Sequence, residues 1–147
     1  MIAANVGWDL QQASSGRFEL GLGSQVRGHN ERRFSVAWSP PAPRMKEYVE
    51  AVKAIWDAWV TGAPLNYRGD FYNFTLMTPN FTPEALTGPP PKITMAAVGP
   101  AMLRTAGRTC DGVRLHAFCT REYLESSILP QVGTGLLEGG KTREKFQ

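Results

Sequence analysis

Long apolar runs are missing from this 147-residue sequence, and with them most signs of a membrane or secreted chain. Its uninterrupted apolar stretches last a few residues each, against the roughly 20 that a membrane-spanning helix needs. The opening segment contains Asn5, Trp8 and Asp9 and lacks the basic start and long apolar run of a secretory signal. Cysteine is scarce: Cys110 and Cys119 are the only two, and their spacing is not CxxC. Two cysteines make no disulfide framework, so the expectation is reduced side chains packed in a cytoplasmic domain. Charge of one sign is scarce too. Sixteen Lys and Arg are interspersed with thirteen Asp and Glu, and Arg32-Arg33 is the only adjacent basic pair. No basic arm for nucleic acid is expected from that pattern. Neither histidine, His29 or His116, has a Cys, Asp or Glu at metal-ligand spacing, so no metal site is expected. There is no GxSxG elbow, and spacing assembles no nucleophile–base pair.

What is present is the composition of a soluble globular domain, 42% hydrophobic and 20% charged. Residues 2–12 read as a helix with Val6, Leu10 and Ala13 on its apolar stripe, stopped by Ser14-Ser15-Gly16. A short strand follows at 18–22. The clearest element is a helix over 43–60, where Met45, Tyr48, Val49, Val52, Ile55, Trp56 and Trp59 fall on one face. Arg44, Glu47, Glu50, Lys53 and Asp57 fall mainly on the other, and Pro40, Pro41 and Pro43 suit the helix entrance. Tyr67, Phe71, Tyr72 and Phe74 flank Arg68-Gly69-Asp70 as in a hairpin. That tripeptide reads as a tight turn, not as a cell-adhesion signal. The proline-rich stretch 79–91 reads as a loop.

After it the rhythm changes to strand 92–98, helix 102–108, strand 113–118, and a helix capped by Thr120 over Tyr123, Leu124, Ile128 and Leu129. Residues 133–140 read as loose chain. Alternating strands and helices with short links mean βαβ units and a parallel sheet. Three parallel strands with helices enough for one face leave two open edges, which parallel sheets rarely tolerate. The expected fold class is therefore α/β, a partial (β/α)₈ barrel, forming a single domain over 1–147 with a hairpin and loop insertion at about 63–91. A full barrel takes about 250 residues. Self-association as a homodimer is the other way to cover the same surfaces.

Three places carry candidate chemistry. Gly21-Leu22-Gly23 followed by Gly28 has the spacing GxGxxxxG, not the GxGxxG of a dinucleotide loop, and no helix opens at once behind it. It reads as a strand end where small residues let a flat ligand come close. Val98-Gly99-Pro100-Ala101-Met102 takes a strand into a helix, and the free N–H groups of a helix first turn suit a phosphate. Pro100 donates nothing, so the donors would be Gly99, Ala101 and Met102; an ordinary helix start reads the same way. His116 lies near the end of strand 113–118, on the same side as Arg114 and Phe118, and barrel strands aim such ends at the active site.

The order of several short motifs resembles the luciferase-like monooxygenase family. Ser15-Gly16-Arg17-Phe18 running into Leu20-Gly21-Leu22-Gly23 is similar to the family's fourth-strand signature, with Ser15 at its first glycine. Glu31 falls where the family often has a glutamate. Ala54-Ile55-Trp56-Asp57-Ala58-Trp59 matches its long helix, and Gly69-Asp70-Phe71-Tyr72 its insertion hairpin. Pro90-Pro91-Lys92-Ile93, Val98-Gly99-Pro100 and Asp111-Gly112-Val113 match its fifth strand, fifth helix and sixth strand in order. Trp8-Asp9-Leu10-Gln11 and Gly23-Ser24-Gln25-Val26-Arg27 resemble the branch that uses coenzyme F420, with FMN as the alternative cofactor.

The resemblance implies a barrel that holds a reduced flavin or deazaflavin and a small-molecule substrate at the strand ends. FMN-using members activate oxygen and F420-using members transfer hydride. Cofactor contacts carry over to Ser24 and Gln25, to Gly99, Ala101 and Met102, and to His116. No catalytic residue carries over, because the first three and last two strands have no counterpart. The expectation is thus a segment of an oxidoreductase, with a non-catalytic barrel fragment or assembly module as the alternative. A sugar-phosphate enzyme on the same barrel is a third.

Overall fold

The computed structural model describes residues 1–147. Helix α1 (Ile2–Ala13) leads to strand β1 (Glu19–Leu22), the short helix α2 (Arg27–Arg32) and the long helix α3 (Pro41–Thr61). Strands β2 (Tyr67–Arg68) and β3 (Asn73–Phe74) follow, then β4 (Lys92–Ala96), α4 (Pro100–Thr109) and β5 (Gly112–Arg114). One turn of helix, α5 (Arg121–Tyr123), passes through a π-helical turn into α6 (Leu129–Glu138). The chain forms two compact units, Met1–Leu20 with Glu47–Ile93, and Gly21–Lys46 with Thr94–Gln147.

In the first unit, α1 and most of α3 share a tryptophan-rich core. Trp8 and Trp59 meet edge to face with centroids 5.2 Å apart, a favoured aromatic geometry. Each indole N–H has an acceptor: Trp8 donates to the Glu84 carbonyl at 2.9 Å, Trp56 to the Ala4 carbonyl at 3.0 Å, and Trp59 to the Met77 sulfur at 3.3 Å. The α3 periodicity is borne out, with Val49, Val52, Ile55, Trp56 and Trp59 all buried. The face expected for α1 is not. Val6 and Leu10 are exposed, and Ala4, Gly7, Trp8 and Gln11 are buried. Small side chains win there because Gly7 lets the Trp56 indole press in, so that a β-carbon on it would sit 3.0 Å from the ring. Gln11 is buried with its amide satisfied, giving to the Pro89 carbonyl and receiving from Phe18 N–H.

The hairpin pairs Tyr67 with Phe74 and Arg68 with Asn73, antiparallel, around the turn at Gly69 and Asp70. Glu47, which its helical position puts on the polar face, is 9% exposed. Its carboxylate receives N–H bonds from Asp70 (3.1 Å), Phe71 (2.8 Å) and Tyr72 (3.3 Å), so the charge is buried because the hairpin turn wraps it.

In the second unit, Gly21-Leu22, Thr94–Ala96 and β5 form a sheet in the order β1, β4, β5. Buried side chains include Met95, Ala97, Leu103, Ala106, Cys110, Ile128, Val132 and Leu136. Residues 133–140, expected to be loose, are helical to Glu138. The glycines there serve packing: a β-carbon on Gly139 would lie 2.5 Å from the Arg108 carbonyl oxygen, and one on Gly107 equally close to that of Val132. Pro130 explains the π turn. It lacks an N–H, and its ring would press on the carbonyl four residues back. The turn Leu124–Ile128 widens instead, and Leu129 N–H reaches back to the Leu124 carbonyl. At the sheet's β5 edge, Val113 N–H donates to the Gln147 carbonyl (2.9 Å) and Gln147 N–H to the Asp111 carbonyl (3.0 Å). That is the bonding of a parallel bridge.

Candidate functional site

Strand register collects the candidate residues. β4 and β5 are parallel, with Thr94 opposite Gly112, Met95 opposite Val113 and Ala96 opposite Arg114. On the other side of β4, a β-carbon on Gly21 would lie nearest Thr94 Oγ1 (3.9 Å), and one on Gly23 nearest Ala96 Cβ (3.6 Å). The two numberings rise together, so β1 runs parallel to β4 as well. Gly23, Ala96 and Arg114 therefore share one row at the downstream end of the sheet. Ser24 and Gln25 follow Gly23 directly, Gly99 comes three residues after Ala96, and His116 two after Arg114. All six candidates lie in the second unit, at one edge of its sheet.

The β1 end is shaped by backbone strain. Gln25 has φ +58°, a left-handed conformation that costs an L-residue about 1–2 kcal/mol. Asn30 holds the bend, its amide donating to the carbonyls of Ser24 and Val26 at 3.1 Å each. Ser24 Oγ donates to the Gln25 carbonyl (3.3 Å); Ser24 is half-buried and Gln25 is exposed. Asn30 was not singled out from the sequence, because a lone Asn in a polar stretch carries no spacing signal.

At the β4 end, Gly99 is the N-cap of α4 with φ −84° and ψ 158°, and makes no side-chain cap. The first intrahelical bond is Leu103 N–H to the Gly99 carbonyl at 3.0 Å. The N–H groups of Ala101 and Met102 precede it and point out of the helix start. Nothing lies within 4 Å of where a Gly99 β-carbon would be. An anion approaching there meets open space, two free donors and the positive end of a ten-residue helix. These residues fit a cofactor phosphate.

At the β5 end the strand is shorter than expected and stops at Arg114. His116 and Phe118 lie in the turn beyond it, since Phe118 N–H donates to His116 Nδ1 at 3.1 Å and Cys119 N–H to the Ala117 carbonyl at 3.0 Å. Thr120 Oγ1 then caps the next helix by accepting Tyr123 N–H, as expected. Grooves lie elsewhere. One, about 320 Å³, is lined by Tyr48, Val52, Ile55 and Tyr72 in the first unit. Another, about 300 Å³, is lined by Cys110, Asp111 and Lys141 at the opposite end of β5 from His116. At the strand ends Gln25, Gly99, Ala101 and His116 are all exposed.

A parallel α/β sheet with its candidate binding groups gathered past the strand C-termini is the arrangement of barrel and doubly wound enzymes. The luciferase-like monooxygenase family model matches residues 1–147, and the chain belongs to that family. It is 47% identical, over its whole length, to an uncharacterised protein of Mycobacterium tuberculosis (strain ATCC 25618 / H37Rv), covering 43% of that relative. It is 30% identical over 129 residues to an F420-dependent glucose-6-phosphate dehydrogenase of Microbacterium testaceum (strain StLB037), covering 88% of this chain and 37% of the relative. In fold it matches an F420-dependent secondary alcohol dehydrogenase solved with an F420-acetone adduct, with a TM-score of 0.80 at 20% identity, covering 99% of this chain and 42% of that one. The chain spans less than half the length of the curated relatives it matches.

Proposed function

We propose that the chain is the segment around strands four to six of a (β/α)₈ barrel, with the insertion at about 63–91, and that it carries part of the cofactor edge of an F420-dependent oxidoreductase. The observation that carries this reading is the alignment of Ser24-Gln25, Gly99 and His116 at the downstream ends of three adjacent parallel strands. The open edge beside β5, where Gln147 already pairs in parallel register, supports a sheet with further strands. Ala101 and Met102 N–H, with Gly99 leaving room, would hold the cofactor phosphate, while Ser24, Gln25 and His116 would bound the ring. When bound, F420 supplies hydride transfer and FMN can also activate oxygen. The relative named for F420 favours the deazaflavin over FMN. The substrate is a small molecule held against the ring.

A second reading is a barrel segment without catalysis of its own, and the share of the relatives' length that the chain spans favours it. Fluorescence titration of the 147-residue chain with F420 and with FMN separates the two. Saturable binding of F420, tighter than FMN, is the expected result. A chain that is folded by circular dichroism yet binds neither cofactor would refute the cofactor edge and leave the second reading.

A further inference from the structure

His116 and Phe118 are exposed, Phe118 to 95%, yet they are ordered against each other. Their rings stack with centroids 5.8 Å apart and planes 23° from parallel, and Phe118 N–H donates to His116 Nδ1 at 3.1 Å. That hydrogen bond decides the tautomer. An Nδ1 that accepts carries a lone pair, so the proton of the neutral imidazole is on Nε2. No protein acceptor takes the Nε2–H. The turn thus presents an apolar ring face beside an outward hydrogen-bond donor, and the core of the unit uses neither.

We propose that His116 and Phe118 form a recognition shelf for a planar heteroaromatic ring bearing a carbonyl oxygen. Phe118 stacks on the ring, and His116 Nε2–H donates to the carbonyl. The proposal rests on the reading of this edge as a cofactor edge, and names its ring end as Gly99 names its phosphate end. Flavin and deazaflavin rings both carry such carbonyls on their pyrimidine portion, so the shelf recognises the feature they share. Phe118 becomes a binding residue in its own right. The backbone bond that Phe118 gives to Nδ1 makes it also the positioning residue for His116.

Two measurements test this, one of them without any ligand. In a chain labelled with ¹⁵N-histidine, long-range ¹H–¹⁵N correlation should show neutral His116 as the Nε2–H tautomer, His29 being the only other histidine. The Nδ1–H tautomer would overturn the shelf whatever binds. The second measurement titrates riboflavin, FMN and F420 into wild type, His116→Ala and Phe118→Ala. Riboflavin has the ring without the phosphate. Each substitution should weaken all three probes about 3- to 10-fold, the range of one aromatic stack or one neutral hydrogen bond. The factor should be the same with and without phosphate, and melting temperatures should stay unchanged because both side chains are exposed. Unaltered affinities in both variants, with wild type binding, would overturn the shelf and leave the cofactor edge standing. Failure of wild type to bind any of the three probes would overturn both.

Discussion

Glu47 offers the sharpest test of how the first unit is held together. Its buried carboxylate receives three backbone N–H bonds from consecutive residues of the hairpin, Asp70, Phe71 and Tyr72. Two of them share Oε2. Hydrogen bonds to a charged group contribute about 1.5–3 kcal/mol each, but three on one carboxylate are not additive. Glu47→Ala leaves the donors without their acceptor. Because Asp70 is exposed and Phe71 and Tyr72 only half-buried, water re-solvates part of the turn. The expected loss is therefore about 2–4 kcal/mol, short of the full sum. Glu47→Gln keeps one carbonyl oxygen for Phe71 and Tyr72 but turns an NH₂ toward the Asp70 N–H, and should cost about 1–2 kcal/mol. Urea unfolding followed by tryptophan emission is the assay, since Trp8, Trp56 and Trp59 all belong to this unit and only Trp38 does not. The expected order of midpoints is wild type, then Gln, then Ala. An Ala variant within about 0.5 kcal/mol of wild type, the scatter of ordinary surface substitutions, would refute the claim that this carboxylate organises the hairpin.

Two glycines of α6, Gly133 and Gly135, should respond in opposite directions. Gly133 has nothing within 4 Å of its β-carbon position, so Gly133→Ala should stabilise by about 0.5–1 kcal/mol. A β-carbon on Gly135 would meet the Arg104 carbonyl oxygen, so Gly135→Ala should cost about 2 kcal/mol or more in the same urea titration. Tyr67 donates to Glu50 Oε2 at 3.2 Å, and burial first, then the Glu50 charge, raises its pKa above the ordinary 10.0. A raised phenol pKa means stability fully present below pH 10 and lost as pH climbs through the folded value. Unfolding free energy should therefore fall above about pH 10, and Tyr67→Phe should flatten that fall; equal slopes in the two proteins would count against the Tyr67–Glu50 bond. Gln25→Gly should gain up to about 1 kcal/mol by relieving its left-handed φ, while F420 titration shows weaker binding. A variant that is less stable would mean the Gln25 side chain supports the strand end.

Periodicity made α3 legible because one wide apolar face dominates it, and β4, α4 and the helix capped by Thr120 followed from Gly, Pro and Thr punctuation, whereas α2 lies in a polar stretch with no apolar face to announce it. Burial of α1 was not legible in that way: its apolar residues Val6 and Leu10 face solvent, and Gly7 with Gln11 faces the core. Glycine is where sequence reading loses most resolution, since one letter serves opposed physical ends. In α6 a glycine-rich stretch looked loose, yet Gly135 and Gly139 are the points where the α4 backbone comes too close for a side chain. In β1 the reverse holds. β-Carbons on Gly21 and Gly23 would make ordinary contacts at 3.9 and 3.6 Å, and neither residue has positive φ. Packing and backbone geometry would accept alanine at both, and a strand interior disfavours glycine by roughly 0.5–1 kcal/mol. The fold therefore does not ask for glycine there, and both residues are exposed, Gly23 on the row that continues through Ala96 to Arg114. A small residue that the protein's own packing does not require is best explained by something outside the chain that lies against it. The candidate site's β1 end was legible in those glycines and His116 in its strand position, while the hydrogen bond from Phe118 N–H to His116 Nδ1 carried no sequence signal.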